Sequence, residues 1–251
     1  MAHDSDDIYD PEFVARLFDR CSSSYRRWSA VSSFGFIALW RYQCVGRLRQ
    51  PAQPGFSVVD LMAGTGEVWP YLLRRFPTLG TITALDISQR MHLEAVDRLH
   101  GAYADKITHI AADALKTDLP TDHADIVIST FGLKTFDKGQ QRILAHQIAR
   151  ILKPGGSFSL IEASDPKGWV LRPFYRFYLD RMLPQIEALF LKGANDFSMI
   201  GTYTRNFGNS DHMAQALSEA GLAVTQRKHF FGCATSVAGH KPNTAAPTVD
   251  R

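Results

Sequence analysis

The sequence predicts an α/β fold: a doubly wound, mostly parallel seven-stranded sheet with an antiparallel last strand, an N-terminal helical arm and a helical lid insertion. Three observations carry this reading. From Phe56 onward, five short apolar runs rich in Val, Ile and Thr alternate with helix-like segments, the pattern of strand-helix-strand units feeding a parallel sheet. The last two strand-like runs follow one another without room for a crossover helix, so they pair antiparallel. Ahead of the first strand, apolar residues recur at helical spacing until Pro51 and Pro54.

Taken in order, residues 11–20 and 36–48 form the helical arm, with Phe13, Leu17 and Phe18, then Leu39, Trp40 and Val45, as its apolar stripes. The strands are FSVVDLMA, TITALDI, ITHIAA, ADIVIST and SFSLIEA. Helices are expected between them near 67–76, 89–100 and 139–152, the last stopped by Pro154 and Gly155 of KPGG. Past Glu162 an aromatic and basic stretch, 169–191, reads as a lid helix whose rings line a pocket. Its alternative is a segment lying against a membrane and admitting a lipid-tailed ligand. A loop-like segment follows around 193–210, then a helix over 211–220 ending at Gly221, then LAVTQRKHF and FGCATSVAG. The domain plan is therefore an arm over 1–50, a cofactor domain over 51–242 with the lid insertion around 165–210, and a disordered tail over 243–251.

At 251 residues the chain can bury a core without disulfides or metal. A net charge of +3 and a pI near 8.8 are too mild to call for a nucleic-acid partner. Cys21, Cys44 and Cys233 form no C-x-x-C pair and read as buried thiols in a reducing compartment. The acidic start, MAHDSDDIYD, lacks the basic flank and apolar core of a signal peptide, and no run approaches a membrane span. A cytoplasmic protein is expected, with surface contact to a bilayer left open.

The segment from Val58 to Glu67, VVDLMAGTGE, is a buried strand running into a turn in which Gly64 and Gly66 let a ligand approach the backbone. NAD enzymes, flavin enzymes and plain tight turns share such a G-x-G. Asp86 closes the second strand 20 residues past Gly66, where a carboxylate can accept from both ribose hydroxyls, and Ser88 can cap the next helix. Three further features select S-adenosylmethionine (SAM). Val68, Trp69 and Pro70 replace the third glycine that a pyrophosphate needs, Asp113-Ala114 follows the third strand as an adenine acceptor, and the last strand pair is antiparallel.

The chain resembles the ubiquinone and menaquinone C-methyltransferase family of class I methyltransferases over nearly its whole length. The resemblance rests on YRRWSAVSSFGFIALWR (Tyr25–Arg41), VVDLMAGTGE, ALDIS, Phe131-Gly132-Leu133, PFYRFYLDRMLP (Pro173–Pro184) and ATSVAGHKP. It implies a class I, Rossmann-like methyltransferase fold with SAM as cofactor. By that resemblance Thr65, Asp86, Asp113, Ala114 and Thr130 fall on SAM-contacting positions, with Thr130 beside the reacting methyl, and Asp60, Ala63, Gly64, Gly66 and Ile87 complete the expected cofactor-binding set. The sequence departs from the family in a cluster. Lys134-Thr135 stands for its Arg-Asn, Tyr25-Arg26 for Tyr-Asp, Ile37-Ala38 for His-Arg, and Phe197 and Met199 for paired tyrosines. Lysine offers a point charge where arginine offers a bidentate fork, so the exchange at Lys134 changes the chemistry.

Methyl transfer is an in-line displacement, helped by alignment and water exclusion, and for a phenol-type acceptor by a cation near the ring oxygen. Lys134 is the expected electrostatic stabiliser of a phenolate, with a solvated loop lysine as the plain alternative. Tyr25 could close over the methionine moiety, and Tyr203 and Asp165 could contact the acceptor. The histidines show no ligand-type spacing, so no metal is implied. The partner is then a small aromatic or quinone-like acceptor, with no nucleic acid; a homodimer and a peripheral membrane contact stay open. C- or O-methylation of a planar, mostly apolar, hydroxylated ring compound, a quinone precursor or secondary metabolite, is the leading reading. Its rivals are non-methylating SAM chemistry such as cyclisation, separated by product mass, and a non-catalytic SAM-binding subunit, separated by partner-dependent activity.

Overall fold

The computed structural model describes residues 7–99, 103–190 and 199–243. It begins with helices α1 (Pro11–Ser32) and α2 (Phe36–Val45), then alternates β1 (Ser57–Leu61), α3 (Trp69–Arg75), β2 (Thr81–Asp86), α4 (Gln89–Leu99), β3 (Ile107–Ala111), β4 (Ala124–Thr130), α5 (Lys138–Ile151) and β5 (Leu152–Ala163). The lid follows as α6 (Arg172–Phe177), a π-helical turn over Tyr178–Met182 and α7 (Leu183–Phe190). The chain closes with α8 (Met199–Phe207), α9 (Asp211–Glu219), β6 (Ala223–His229) and β7 (Ala234–His240).

The seven strands lie in the order β3-β2-β1-β4-β5-β7-β6. All pairings from β3 to β5 are parallel, and β7 runs antiparallel to both of its neighbours, as the missing crossover requires. Strand alternation assigns the two faces: Val58, Ile126 and Ile128 pack under α2 and α3, while Val59, Val127, Phe158 and Leu160 pack under α5 and α9. Burial on both faces is why these strands read as continuous apolar runs.

The arm is longer than its apolar spacing indicates. Helix α1 begins at an N-cap where Asp10 accepts from the Glu12 and Phe13 amides, with Pro11 in the first turn, and continues through Ser32. From its middle onward it buries Cys21 and Trp28 against Met91 of α4 and Leu183 of the lid. Two expectations are corrected. The KPGG segment does not end α5 but lies inside β5, where a register shift and the left-handed Gly155 (φ 77°) absorb the extra residues. The stretch 193–210, read as a loop, contains α8, whose Tyr203 and Thr204 are buried by tertiary packing. The tail over 243–251, apart from Asn243, and Phe197 lie outside the described residues.

Candidate active site

The turn after β1 is built on three left-handed residues, Met62 (φ 54°), Gly64 (φ 56°) and Gly66 (φ 71°). Each glycine has a separate reason. A Cβ on Gly64 would meet nothing within 4 Å and would project into open cleft, whereas one on Gly66 would stand 2.5 Å from the Trp69 ring. Trp69 folds back beneath the turn, fully buried, and donates its Nε1 proton to Asp60 Oδ2 at 2.7 Å. That indole fills the space that a third glycine would leave empty.

Asp86 ties the turn to the second strand. Its Oδ2 accepts from the Gly64 amide at 2.7 Å and its Oδ1 from the Ser88 amide at 2.8 Å, leaving one lone pair on each oxygen directed elsewhere. Burial pushes this carboxyl above its ordinary range, against the pull of both amides. Asp113 accepts from the Leu115 amide at 2.9 Å. After β4, the left-handed Phe131 (φ 66°) and Gly132 pack on the first turn so closely that a Cβ on Gly132 would lie 2.5 Å from that of Met62.

Together these loops form a cleft at the carboxyl ends of the parallel strands. It is lined by Ala63, Gly64, Asp86, Ile87, Asp113, Ala114 and Thr130 of the expected set, and by Tyr25. Asp60, Thr65 and Gly66 do not line it. Asp60 is buried behind the turn, Thr65 donates its hydroxyl proton to Glu67, and Gly66 faces Trp69. Burial raises the Asp60 carboxyl to about 8, and its Oδ1 has no hydrogen-bond partner. A folded-state pKa above the unfolded value favours the fold while both states are protonated and loses that advantage as pH rises toward about 8. Asp60→Asn, a neutral isostere, is therefore expected to gain stability over the parent as pH rises from 4 to 8. The gain should reach at least ~1 kcal/mol, or ~2–4 °C in melting temperature. Parallel melting curves with no pH-dependent gap would refute a protonated Asp60.

The structure also brings in residues that sequence reasoning missed. Arg41 of α2, 5% exposed, lines the cleft with its guanidinium 5.4 Å from the Phe131 ring centroid and Nη2 3.2 Å from Glu67 Oε2, while its Nε has no hydrogen-bond partner. The Trp40-Arg41 pair was visible in the sequence, but Glu67 lies 26 residues away and only folding joins them. Above the cleft, residues 7–10 form a strap. Gln140 donates to the Tyr9 carbonyl at 2.9 Å and Tyr203 donates its hydroxyl proton to the Ile8 carbonyl at 2.6 Å.

Beside the cleft lies an apolar chamber of about 510 Å³, walled by the arm, the lid and the β6–β7 turn. Phe18, Tyr25, Phe131 and Thr135 border both spaces. Lys134, Tyr203 and Met199 line the chamber, but not in the form expected. Lys134 is no free cation: its Nζ donates to Glu162 Oε1 at 2.8 Å and to the Phe131 carbonyl at 3.2 Å. The fully buried Glu162 carboxylate also accepts from the Lys134 and Ala163 amides. The Tyr203 hydroxyl is spent on the strap. Asp165 lines neither space, because Arg172 grips its carboxylate and holds it below the usual range. Burial pushes the Tyr25 phenol upward despite Arg41, and the Tyr175 phenol likewise, so both remain hydrogen-bond donors at neutral pH. Cys44 and Cys233 are raised to about 12 and about 11 by burial, which keeps them as unreactive thiols.

The model of the ubiE/COQ5 methyltransferase family matches residues 4–241. The ubiquinone/menaquinone biosynthesis C-methyltransferase UbiE of Shewanella pealeana is 27% identical over 84% of this chain and 83% of its own length. The demethylmenaquinone methyltransferase of Listeria monocytogenes serotype 4b is 27% identical over 92% of this chain and 96% of its own. Among solved structures, the geranyl diphosphate C-methyltransferase of Streptomyces coelicolor, in complex with Mg2+, geranyl diphosphate and S-adenosyl-L-homocysteine, shares the fold. Its TM-score is 0.57 at 14% identity, covering 81% of this chain and 80% of that one.

Proposed function

Since the chain belongs to the ubiE/COQ5 methyltransferase family, we propose that it transfers a methyl group from SAM to a planar, mostly apolar, hydroxylated ring compound of the quinone-precursor type. The observation that carries this reading is the apolar chamber meeting the cleft at Tyr25, Phe131 and Thr135, so that a flat ring in one space faces a donor in the other. Water exclusion follows from the aromatic walls, which raises the worth of every polar contact inside.

The residues of the cleft fit SAM. Gly64 leaves room for the ligand against the backbone, Asp86 keeps two lone pairs for the ribose hydroxyls, and Asp113 keeps an oxygen for the adenine amino group. Arg41, with an unpartnered Nε at the Glu67 end of the cleft, holds the methionine carboxylate. SAM supplies an electrophilic methyl on a sulfonium. The chain supplies alignment and hydrogen-bond donors for the acceptor: the Tyr25 phenol and the third Nζ proton of Lys134, whose charge Glu162 balances. Lys134 thus acts as a positioned donor to a ring oxygen within a neutral ion pair. The names of the relatives favour a ring carbon as the methylated atom.

Incubation with SAM and a short-chain dihydroxynaphthalene should give a product heavier by one methyl, with the carbon-bound position read by NMR. A product of unchanged methyl count, or none, overturns the proposal. Arg41→Ala should weaken SAM binding ~10-fold by calorimetry, as expected for loss of a charge-assisted hydrogen bond; unchanged affinity removes Arg41 from the cofactor site.

A further inference from the structure

We propose that Tyr175 of the lid is a specificity-determining residue: its phenol donates to the acceptor's second ring oxygen, the one remote from the methylated carbon, so that the chamber selects rings oxygenated at two positions. This rests on the chamber being the acceptor site.

Four tyrosines line the chamber, Tyr25, Tyr175, Tyr178 and Tyr203. Two of them are committed to the fold: the Tyr178 hydroxyl donates to the Ser32 carbonyl at 2.7 Å, and the Tyr203 hydroxyl to the Ile8 carbonyl at 2.6 Å. The hydroxyls of Ser32, Ser33 and Thr135 on the same walls likewise donate to carbonyls of their own turns. The Tyr25 and Tyr175 phenols make no hydrogen bond among the described residues, although both are desolvated. A phenol taken out of water normally finds a partner, because an unpaired O–H there is costly. On α6 the neighbouring rings of Phe174 and Phe177 are exposed, whereas Tyr175 packs inward against the buried core. Packing alone would be served by phenylalanine, so the hydroxyl calls for an acceptor that the chain itself does not provide.

The two available donors stand on opposite sides of the Lys134–Glu162 pair. The charge of Glu162 acts on both phenols, whereas Arg41 and Glu67 act on Tyr25 alone, and Asp165 and Cys233 on Tyr175 alone. Tyr25 borders both the cleft and the chamber, while Tyr175 lines only the chamber, at the end where β5 leaves the sheet and β7 enters it. A flat ring seated over the ion pair then has one oxygen, beside the methylated carbon, at Tyr25 and the third Nζ proton of Lys134. An oxygen across the ring meets Tyr175. A site built to bond a ring oxygen rejects the analogue that lacks it, since its own buried donor is then left unpaired.

Acceptor binding to the full chain loaded with S-adenosylhomocysteine, measured by calorimetry under anaerobic conditions, tests this with two probes. One is a short-chain 1,4-dihydroxynaphthalene and the other the naphthol that lacks the hydroxyl remote from the methylated carbon. Binding is read in preference to rate because removing a hydroxyl also changes the reactivity of the ring. The parent should bind the diol at least ~10-fold more tightly than the naphthol. Tyr175→Phe should bind the diol at least ~10-fold less tightly than the parent does, with naphthol affinity and melting temperature kept. In turnover the variant should raise KM for the diol while kcat stays near parental, because the oxygen beside the reacting carbon keeps its donors. A parent with no preference, a parent that binds neither probe, or a variant with unchanged diol affinity overturns the proposal. So does an equal loss for both probes, the result a packing role would give. Product mass separates this from the methyltransferase reading. Selectivity that vanishes with the Tyr175 hydroxyl in a chain that transfers no methyl counts against methyl transfer alone, and methyl transfer without that selectivity counts against Tyr175 alone.

Discussion

Asp86→Ala is expected to weaken SAM binding by about 1.5–3 kcal/mol, that is ~10- to 150-fold by calorimetry. Two losses add. The carboxylate that would accept from the ribose hydroxyls disappears, and the Gly64 amide loses the acceptor that fixes the glycine turn. The effect should carry a pH signature. Because burial raises the Asp86 carboxyl above the ordinary 3.8, parent affinity should fall on acidification at a higher pH than for an exposed aspartate. Loss of affinity in the alanine variant should be free of that transition. Parent and variant binding SAM equally at pH 7 would contradict the site assignment.

Breaking the Lys134–Glu162 pair is expected to cost more. Lys134→Met would leave the fully buried Glu162 carboxylate with two backbone amides and no countercharge, a loss of roughly 3–5 kcal/mol in urea unfolding. Replacing both, Lys134→Met with Glu162→Gln, should restore most of that stability, since no charge is then stranded. Turnover separates the roles. If Lys134 donates to the acceptor oxygen, the double variant stays about 10²-fold below the parent in kcat despite its recovered stability. A stable double variant with parental kcat would reduce the pair to a structural device.

Much of the framework was legible before folding was considered. Strand period, glycine punctuation and the missing terminal crossover led to the seven-stranded sheet and its antiparallel end, because these signals are local and repeat within a few residues. The sheet's carboxyl edge then gathered Asp86 and Thr130, which end strands, and Gly64 and Asp113, which lie two or three residues past strand ends, into one cleft. Helix α8 escaped notice because its identity comes from burying Tyr203 and Thr204 rather than from its own spacing.

What only the tertiary structure decided is the state of the charges and the shape of the acceptor space. Lys134 looks like a free cation in sequence, and Glu162, 28 residues on, makes it half of a neutral pair. Asp60 looks like a cofactor ligand, and burial behind the turn raises its carboxyl to about 8 against the pull of the Trp69 hydrogen bond. Arg41 and Glu67 meet only when α2 docks beside the β1 turn. The reason is common to all three. Backbone conformation responds to neighbours along the chain, whereas a side chain's charge and partners depend on desolvation and on groups delivered from distant segments. The sequence alone therefore determined the fold and which strand ends meet at the cleft, and the packing of arm, lid and strand ends decided the charge and shape of that cleft.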